Sequence, residues 1–167
     1  CNQGCIGHFH AGYSISCIQN PSTGRELCLP AAAPAAVRPL KVLVAGGGPA
    51  GMKAAVTAAE MGHKVILSEA APRLGGQALL AQLLPDRLEF GGLVTNLVTE
   101  LALRQVDVRL NSRVTRTLVE TIAPDGVIVA TGSAPVGTEI EGHEAGHLME
   151  AADLLAGRAA PGARVVV

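Results

Sequence analysis

The chain has 167 residues, enough for one ordinary domain with a buried core. Apolar residues make up 49% of it and aromatics only 2%, so Ala, Val, Leu and Gly carry the apolar share, as in helices packed on a parallel sheet. A net charge of −1 with no Lys/Arg stripe excludes a nucleic-acid surface, and no apolar run reaches the roughly 18 residues of a membrane span.

Residues 1–29 are polar, rich in Gly, Ser and Asn, and carry all four cysteines without clear periodicity. Residues 30–39 read as a stiff Pro/Ala linker. Its PAAAPAAV run is internal and lacks a charged leader, so it is no signal peptide, and the thiols read as reduced in a cytoplasmic protein. LKVLVAG (40–46) is a short apolar run ahead of a glycine cluster, the pattern of a buried strand. PAGMKAAVTAAEM (49–61) is Ala-rich and predicts a helix stopped at Gly62. HKVILSE (63–69) predicts a second buried strand.

Asp86 and Glu89 form a D-x-x-E capping pattern ahead of a helix over 88–105, with Leu93, Val94, Leu97, Val98 and Leu101 as its apolar stripe. VDVRL (106–110), VTRTLVE (114–120) and GVIVATG (126–132) are further strand candidates. MEAADLLAG (149–157) predicts a short helix, and ARVVV (163–167) the start of another strand. Both chain ends read as cuts through larger elements, which makes the chain a fragment expected to be inactive alone. The expected fold is α/β: a Rossmann-like parallel sheet with a small antiparallel β element, preceded by an irregular cysteine-bearing segment.

The strongest chemical signal is KVLVAGGGPAG followed by a helix, a strand and an acid. Gly46, Gly48 and Gly51 give G-x-G-x-x-G, with Pro49 and Ala50 opening the helix. The first glycine permits the tight turn, the second lets a pyrophosphate approach the backbone, and the third lets helix and strand pack closely. The helix N-terminus favours the anion. Glu69 ends the second strand, where a carboxylate accepts from both ribose hydroxyls and opposes a 2′-phosphate.

Glu69, Arg73, Gly75, Gly76 and Gln77, then Ala130, Thr131 and Gly132, resemble the two-dinucleotide-domain flavoprotein reductases. In that family a strand-end Glu followed by R-x-G-G lies against FAD, and a later A-T-G passes the flavin's pyrophosphate. The resemblance covers residues 40–167 and implies an FAD-binding domain at 40–162. An NAD(P)H-binding domain follows A-T-G in the family, and 163–167 resembles its first strand.

Cys1-x3-Cys5-x11-Cys17, followed by Asn20 and Pro21, resembles the iron–sulfur segment of the 2,4-dienoyl-CoA reductase and trimethylamine dehydrogenase family of NADH:flavin oxidoreductases. There C-x2-C-x3-C-x11-C holds a 4Fe–4S cluster just before the FAD domain. Cys1, Cys5 and Cys17 match the last three ligands, and the first would lie upstream of Cys1. Zinc held with His8 or His10, and structural disulfides, remain as other readings of these cysteines, and Cys28 is a further thiol before the linker. The His8–Tyr13 stretch is richer in His than in the dienoyl-CoA reductases, which turns the expectation away from a thioester substrate. These histidines read as surface or packing residues, or as tuners of the cluster, and His63, His143 and His147 read as structural.

The resemblance implies that the intact protein carries an FMN barrel with the substrate site. It also implies an iron–sulfur relay between FMN and FAD, and hydride exchange between FAD and NAD(P)H. The substrate would be an enoyl-CoA or a methylated amine, and no residue of this chain is a candidate catalytic acid or base. Two alternatives stand beside it: an ADP-binding module without redox work, and a glutamate-synthase-type electron-transfer subunit. The expected partners are the barrel and the NAD(P)H domain of the same protein, with homo-oligomers compatible, and neither nucleic acid nor membrane.

Overall fold

The computed structural model describes residues 3–17, 20–29, 34–136, 141 and 148–166. Four parallel strands form one sheet in the order β3-β2-β1-β4: β1 (Lys41–Ala45), β2 (Lys64–Ser68), β3 (Asp107–Arg109) and β4 (Gly126–Val129). The crossover helices are α2 (Pro49–Glu60) between β1 and β2, and α4 (Glu89–Leu103) between β2 and β3, preceded by the short α3 (Ala78–Ala81). A helical turn over Gln3–Gly7 runs into α1 (His8–His10), α5 (Arg116–Ile122) precedes β4, and α6 (Ala151–Leu155) follows it. The α/β architecture expected from the alternating pattern is present. Among the described residues no helix is long and apolar enough to cross a membrane.

Alternation along the strands sends Val42, Val44, Val65 and Leu67 to one face, where they meet Met52, Ala55 and Val56 of α2 and Val94, Leu97 and Leu101 of α4. Each Val, Leu or Met among them, fully buried, contributes on the order of 1.5–3 kcal/mol. The stripe on α4 is narrower than expected: Val98 is exposed and Leu93 only half-buried, because 94, 97 and 101 follow the helical repeat more closely.

Several expectations are corrected. Residues 114–120 do not extend as a strand. Thr115 caps a helix there, its Oγ1 accepting from the Leu118 amide at 3.2 Å, and Arg116 pairs with Glu120 one turn on. The β-branched residues of TRTLVE imitate strand alternation, but the inward positions Leu118, Val119 and Ile122 have helical spacing. With that helix in place, no antiparallel pairing forms among the described residues.

The D-x-x-E cap is not made either: α4 starts at Glu89 with Leu88 as its N-cap, and Asp86 turns back at φ 57°. Residues 163–166 are irregular and exposed, since a strand needs a paired neighbour for its backbone and none of the described strands lies beside them. The expected boundaries at 39/40 and 162/163 pass through irregular stretches, that at 29/30 meets residues outside the described ones, and β1 opens at Lys41.

Candidate functional site

The parallel register aligns Ala45 with Ser68 and with Val129, and Ser68 with Arg109. The glycine loop, Glu69 and the A-T-G segment therefore all leave the sheet from its carboxyl edge, where open parallel sheets bind ligands.

Gly46 leaves β1 at φ +109°, and a Cβ there would stand 2.3 Å from the Ala130 carbonyl oxygen. Gly51 passes so close to the loop that a Cβ would lie 1.9 Å from the Gly46 oxygen. Gly48 is different. It is the N-cap of α2 in extended conformation, and a Cβ on it would meet nothing within 4 Å. Packing therefore demands glycine at 46 and 51 but not at 48, where the missing side chain leaves open space above the backbone. That is the space a pyrophosphate needs. Beside it the first intrahelical bond runs from the Met52 amide to the Gly48 carbonyl, so the amides of Ala50 and Gly51 lie ahead of the helix's own ladder.

Glu69 is fixed on both oxygens. Oε2 accepts from the Gly47 amide at 2.6 Å and Oε1 from the Ala71 amide at 2.7 Å. Its main chain is tied to Arg109 and Ser112 of the β3 side. Each carboxylate oxygen still has a lone pair for a hydroxyl donor. The Gly75 amide donates to the Gly47 carbonyl and the Ala130 amide to the Ala45 carbonyl, each at 2.8 Å. The Gln77 side chain completes the set, its Nε2 donating to the Ser133 carbonyl at 2.7 Å.

These bonds draw three loops around one cavity of about 320 Å³. Gly46, Gly48, Pro49, Ala50 and Glu69 line it together with Gly76, Gln77, Ala130, Thr131 and Gly132. Of the candidate nucleotide residues, Gly51 packs against the Gly46 carbonyl rather than lining the cavity, and Arg73 is exposed and not among the lining residues. Ser133 also lines it and was missed by the sequence reading, although it directly follows A-T-G. A second cavity of about 190 Å³ shares Gly46, Glu69 and Thr131 with the first and adds Arg113 and Val114. These two lie beyond the end of β3 in an irregular stretch. Their only sequence signal is that position, since loops at this sheet edge face the ligand.

The cysteine segment is folded back on itself. The Ser16 amide donates to the Gly4 carbonyl at 2.8 Å, so the neighbours of Cys17 and Cys5 are hydrogen-bonded and the two half-buried thiols ride on adjoining stretches. Ser16 Oγ donates to the same carbonyl and lies 3.3 Å from His8 Nδ1, which also meets the Ser14 carbonyl at 3.0 Å. Tyr13 packs edge-on against His8. His8 thus braces the loop between the two cysteines.

Cys1 lies outside the described residues, as do His143 and His147. Among the described residues no three His, Cys, Asp or Glu side chains stand together as a metal site. Cys28 is an exposed thiol. Close by, Glu26 titrates below its ordinary value because its own amide and that of Gly24 donate to the carboxylate. His63 has a structural place, its Nδ1 accepting from the Leu40 amide at 3.1 Å ahead of β1.

Over residues 41–161 the sequence matches the family described as FAD dependent oxidoreductase. The N,N-dimethylglycine/sarcosine dehydrogenase of Chromohalobacter salexigens is 39% identical over 98% of this chain and 25% of its own length. The NADH oxidase of Thermoanaerobacter brockii is 40% identical over 95% of this chain and 25% of its own. Among solved structures, 2-naphthoyl-CoA reductase in complex with 2-naphthoyl-CoA superposes with a TM-score of 0.90 at 31% identity, over 97% of this chain and 24% of that one. The chain therefore spans about a quarter of the length of these relatives. The resemblance to flavoenzymes carried by the glycine loop, Glu69 and A-T-G agrees with the match. With more than half of its residues inside the family match, the chain belongs to the FAD-dependent oxidoreductases.

Proposed function

We propose that the intact protein is a flavin- and iron–sulfur-dependent oxidoreductase, and that this chain is its FAD-holding, electron-carrying part. One observation carries the reading: residues far apart in sequence, at 46–50, 69, 76–77 and 130–132, converge on a single cavity at the carboxyl edge of the sheet. A bound FAD supplies hydride and single-electron transfer. The residues of this chain hold it. The amides at the start of α2, with the helix dipole behind them, face the pyrophosphate, and Glu69 accepts from the ribose.

Cys5 and Cys17, together with Cys1, supply thiolates to a 4Fe–4S cluster. The tie between Ser16 and Gly4 supports this by keeping two of those thiols on neighbouring stretches. An FMN barrel and an NAD(P)H domain of the same polypeptide complete the electron path in this reading. The substrate is a methylated amine or an enoyl thioester. Relatives named for dimethylglycine dehydrogenation and for naphthoyl-CoA reduction support those two classes. A reducing cytoplasm suits thiolate ligands, which supports that compartment for the protein.

The test is anaerobic purification of the full-length protein. Flavin bands, a broad iron–sulfur absorbance and matching iron and sulfide contents are expected. Absence of both chromophores overturns the proposal, and recovery of ADP without flavin from the denatured protein converts it to the nucleotide-binding module.

A further inference from the structure

Among the described residues, the loops around the cavity at the sheet edge are tied by main-chain bonds and by two side chains, Glu69 on the Gly47 amide and Gln77 on the Ser133 carbonyl. The glycine loop and the LGGQ segment (residues 74–77) are joined through Gly75 and Gly47, and A-T-G is joined to β1 through Ala130 and Ala45. The link between the LGGQ segment and the residues after A-T-G is a side chain, the Gln77 carboxamide on the Ser133 carbonyl, with Ser133 Oγ at 3.4 Å. Beyond that link lies another cavity of about 460 Å³, lined by Leu80 of α3, Pro135, and Ala152 and Leu155 of α6. Gln77 and Ser133 are the two residues common to the linings of both cavities. They are the partition between them.

The geometry points to Gln77 as a positioning residue: it latches the segment after A-T-G across the dinucleotide cavity and keeps that cavity separate from the space under α6. The inference rests on the FAD reading and adds that Gln77 acts through Ser133 rather than as a ligand contact. Glutamine suits the task because the bond needs a neutral donor facing a carbonyl, 56 residues away in sequence. A carboxylate of the same length would set negative charge against that oxygen, and an apolar isostere would leave the two segments untied. Either change opens the partition and lets the bound flavin leave faster without touching the glycine loop or Glu69.

The experiment uses the full-length protein and two variants, Gln77→Met and Gln77→Glu, with FAD as the probe. Flavin release is followed by fluorescence, and access to the ring by iodide quenching. Gln77→Met is expected to release FAD roughly three- to tenfold faster, the range for one lost hydrogen bond, with stronger quenching and an unchanged melting temperature of the flavin-stripped protein. Gln77→Glu is expected to release FAD faster still at neutral pH. It should recover toward the wild-type rate as the pH falls through the ordinary carboxyl range near about 4.3, where the acid regains a donor. Glu69, the charged group lining the same cavity, is present in all three proteins, so any pH effect common to them is removed by taking the ratio of their release rates.

Wild-type protein that retains no flavin overturns the FAD reading and the latch with it. Wild-type protein that holds flavin, alongside a Gln77→Met variant with unchanged release, overturns the latch alone. Loss of the pH-dependent recovery in Gln77→Glu while Gln77→Met is fast also overturns it, because the effect then comes from packing rather than from the donated bond.

Discussion

At the scale of single residues, the three glycines of the loop do different work, and the difference can be measured. A Cβ at Gly51 collides with the Gly46 carbonyl, whereas one at Gly48 meets open space. Gly51→Ala is therefore expected to destabilise the fold by about 1–3 kcal/mol, as overpacking does, seen as a lower denaturation midpoint without any ligand present. Gly48→Ser should behave oppositely. Serine is a good N-cap in this extended conformation, so the midpoint holds or rises, while its side chain enters the cavity and weakens nucleotide affinity by about tenfold or more. Calorimetric titration with ADP, beside thermal melts, checks both. Equal losses of stability in the two variants would mean that Gly48 is a packing residue after all. The sequence made the loop legible because its spacing is dictated by such local geometry. It could not reveal the neighbours of Gln77, Arg113 or Val114, which tertiary folding sets, and Arg73, which the resemblance implies beside the cofactor, is not among the residues lining the cavity.

Among the elements, helix and strand identity followed from periodicity wherever a face is buried against the sheet. β1, α2, β2 and α4 read correctly because their apolar spacing records what they pack on. The stretch at 114–120 did not, since its exposed face carries Thr and Arg and the few inward residues are too sparse to reveal a period. There the cap decides, through Thr115. Thr115→Ala is expected to cost about 1 kcal/mol, detectable by urea denaturation, and Thr115→Ser should restore most of it. A strand at these positions would be indifferent to both changes. The capping pattern at Asp86 failed for the reverse reason: the right residues were present, but the turn before α4 places Asp86 in a left-handed conformation that aims its chain elsewhere.

For the whole molecule, the described sheet ends in two edge strands, β3 and β4, and it is β4 that exposes apolar side chains. β1 is buried at its centre, whereas β4 pairs with β1 along one edge only and exposes Val127, Ile128 and Val129, the last at 74%. An apolar groove of about 660 Å³ runs between that strand and α2, past Ala54, Met61 and His63. An exposed apolar edge strand is a template for pairing. The 167-residue chain on its own is therefore expected to self-associate as its concentration rises, and Val129→Lys to suppress this without lowering the melting temperature. Sedimentation velocity over a concentration series reads the outcome directly, and an association unaffected by the lysine would place the contact elsewhere. None of this was legible from the sequence, where a strand of four apolar residues reads as buried on both faces.

The cavity proposed to seat the nucleotide is assembled from stretches separated by almost ninety positions, from Gly46 to Ser133. During synthesis it cannot exist until the last of them has emerged and β4 has docked on β1. On the proposed FAD reading, loading follows the emergence of residue 133, and free flavin nucleotide well above its dissociation constant stabilises the folded chain by an amount that grows with the logarithm of its concentration. Cells short of riboflavin should thus accumulate less of the protein at an unchanged rate of production, its loss occurring by degradation of unfilled copies.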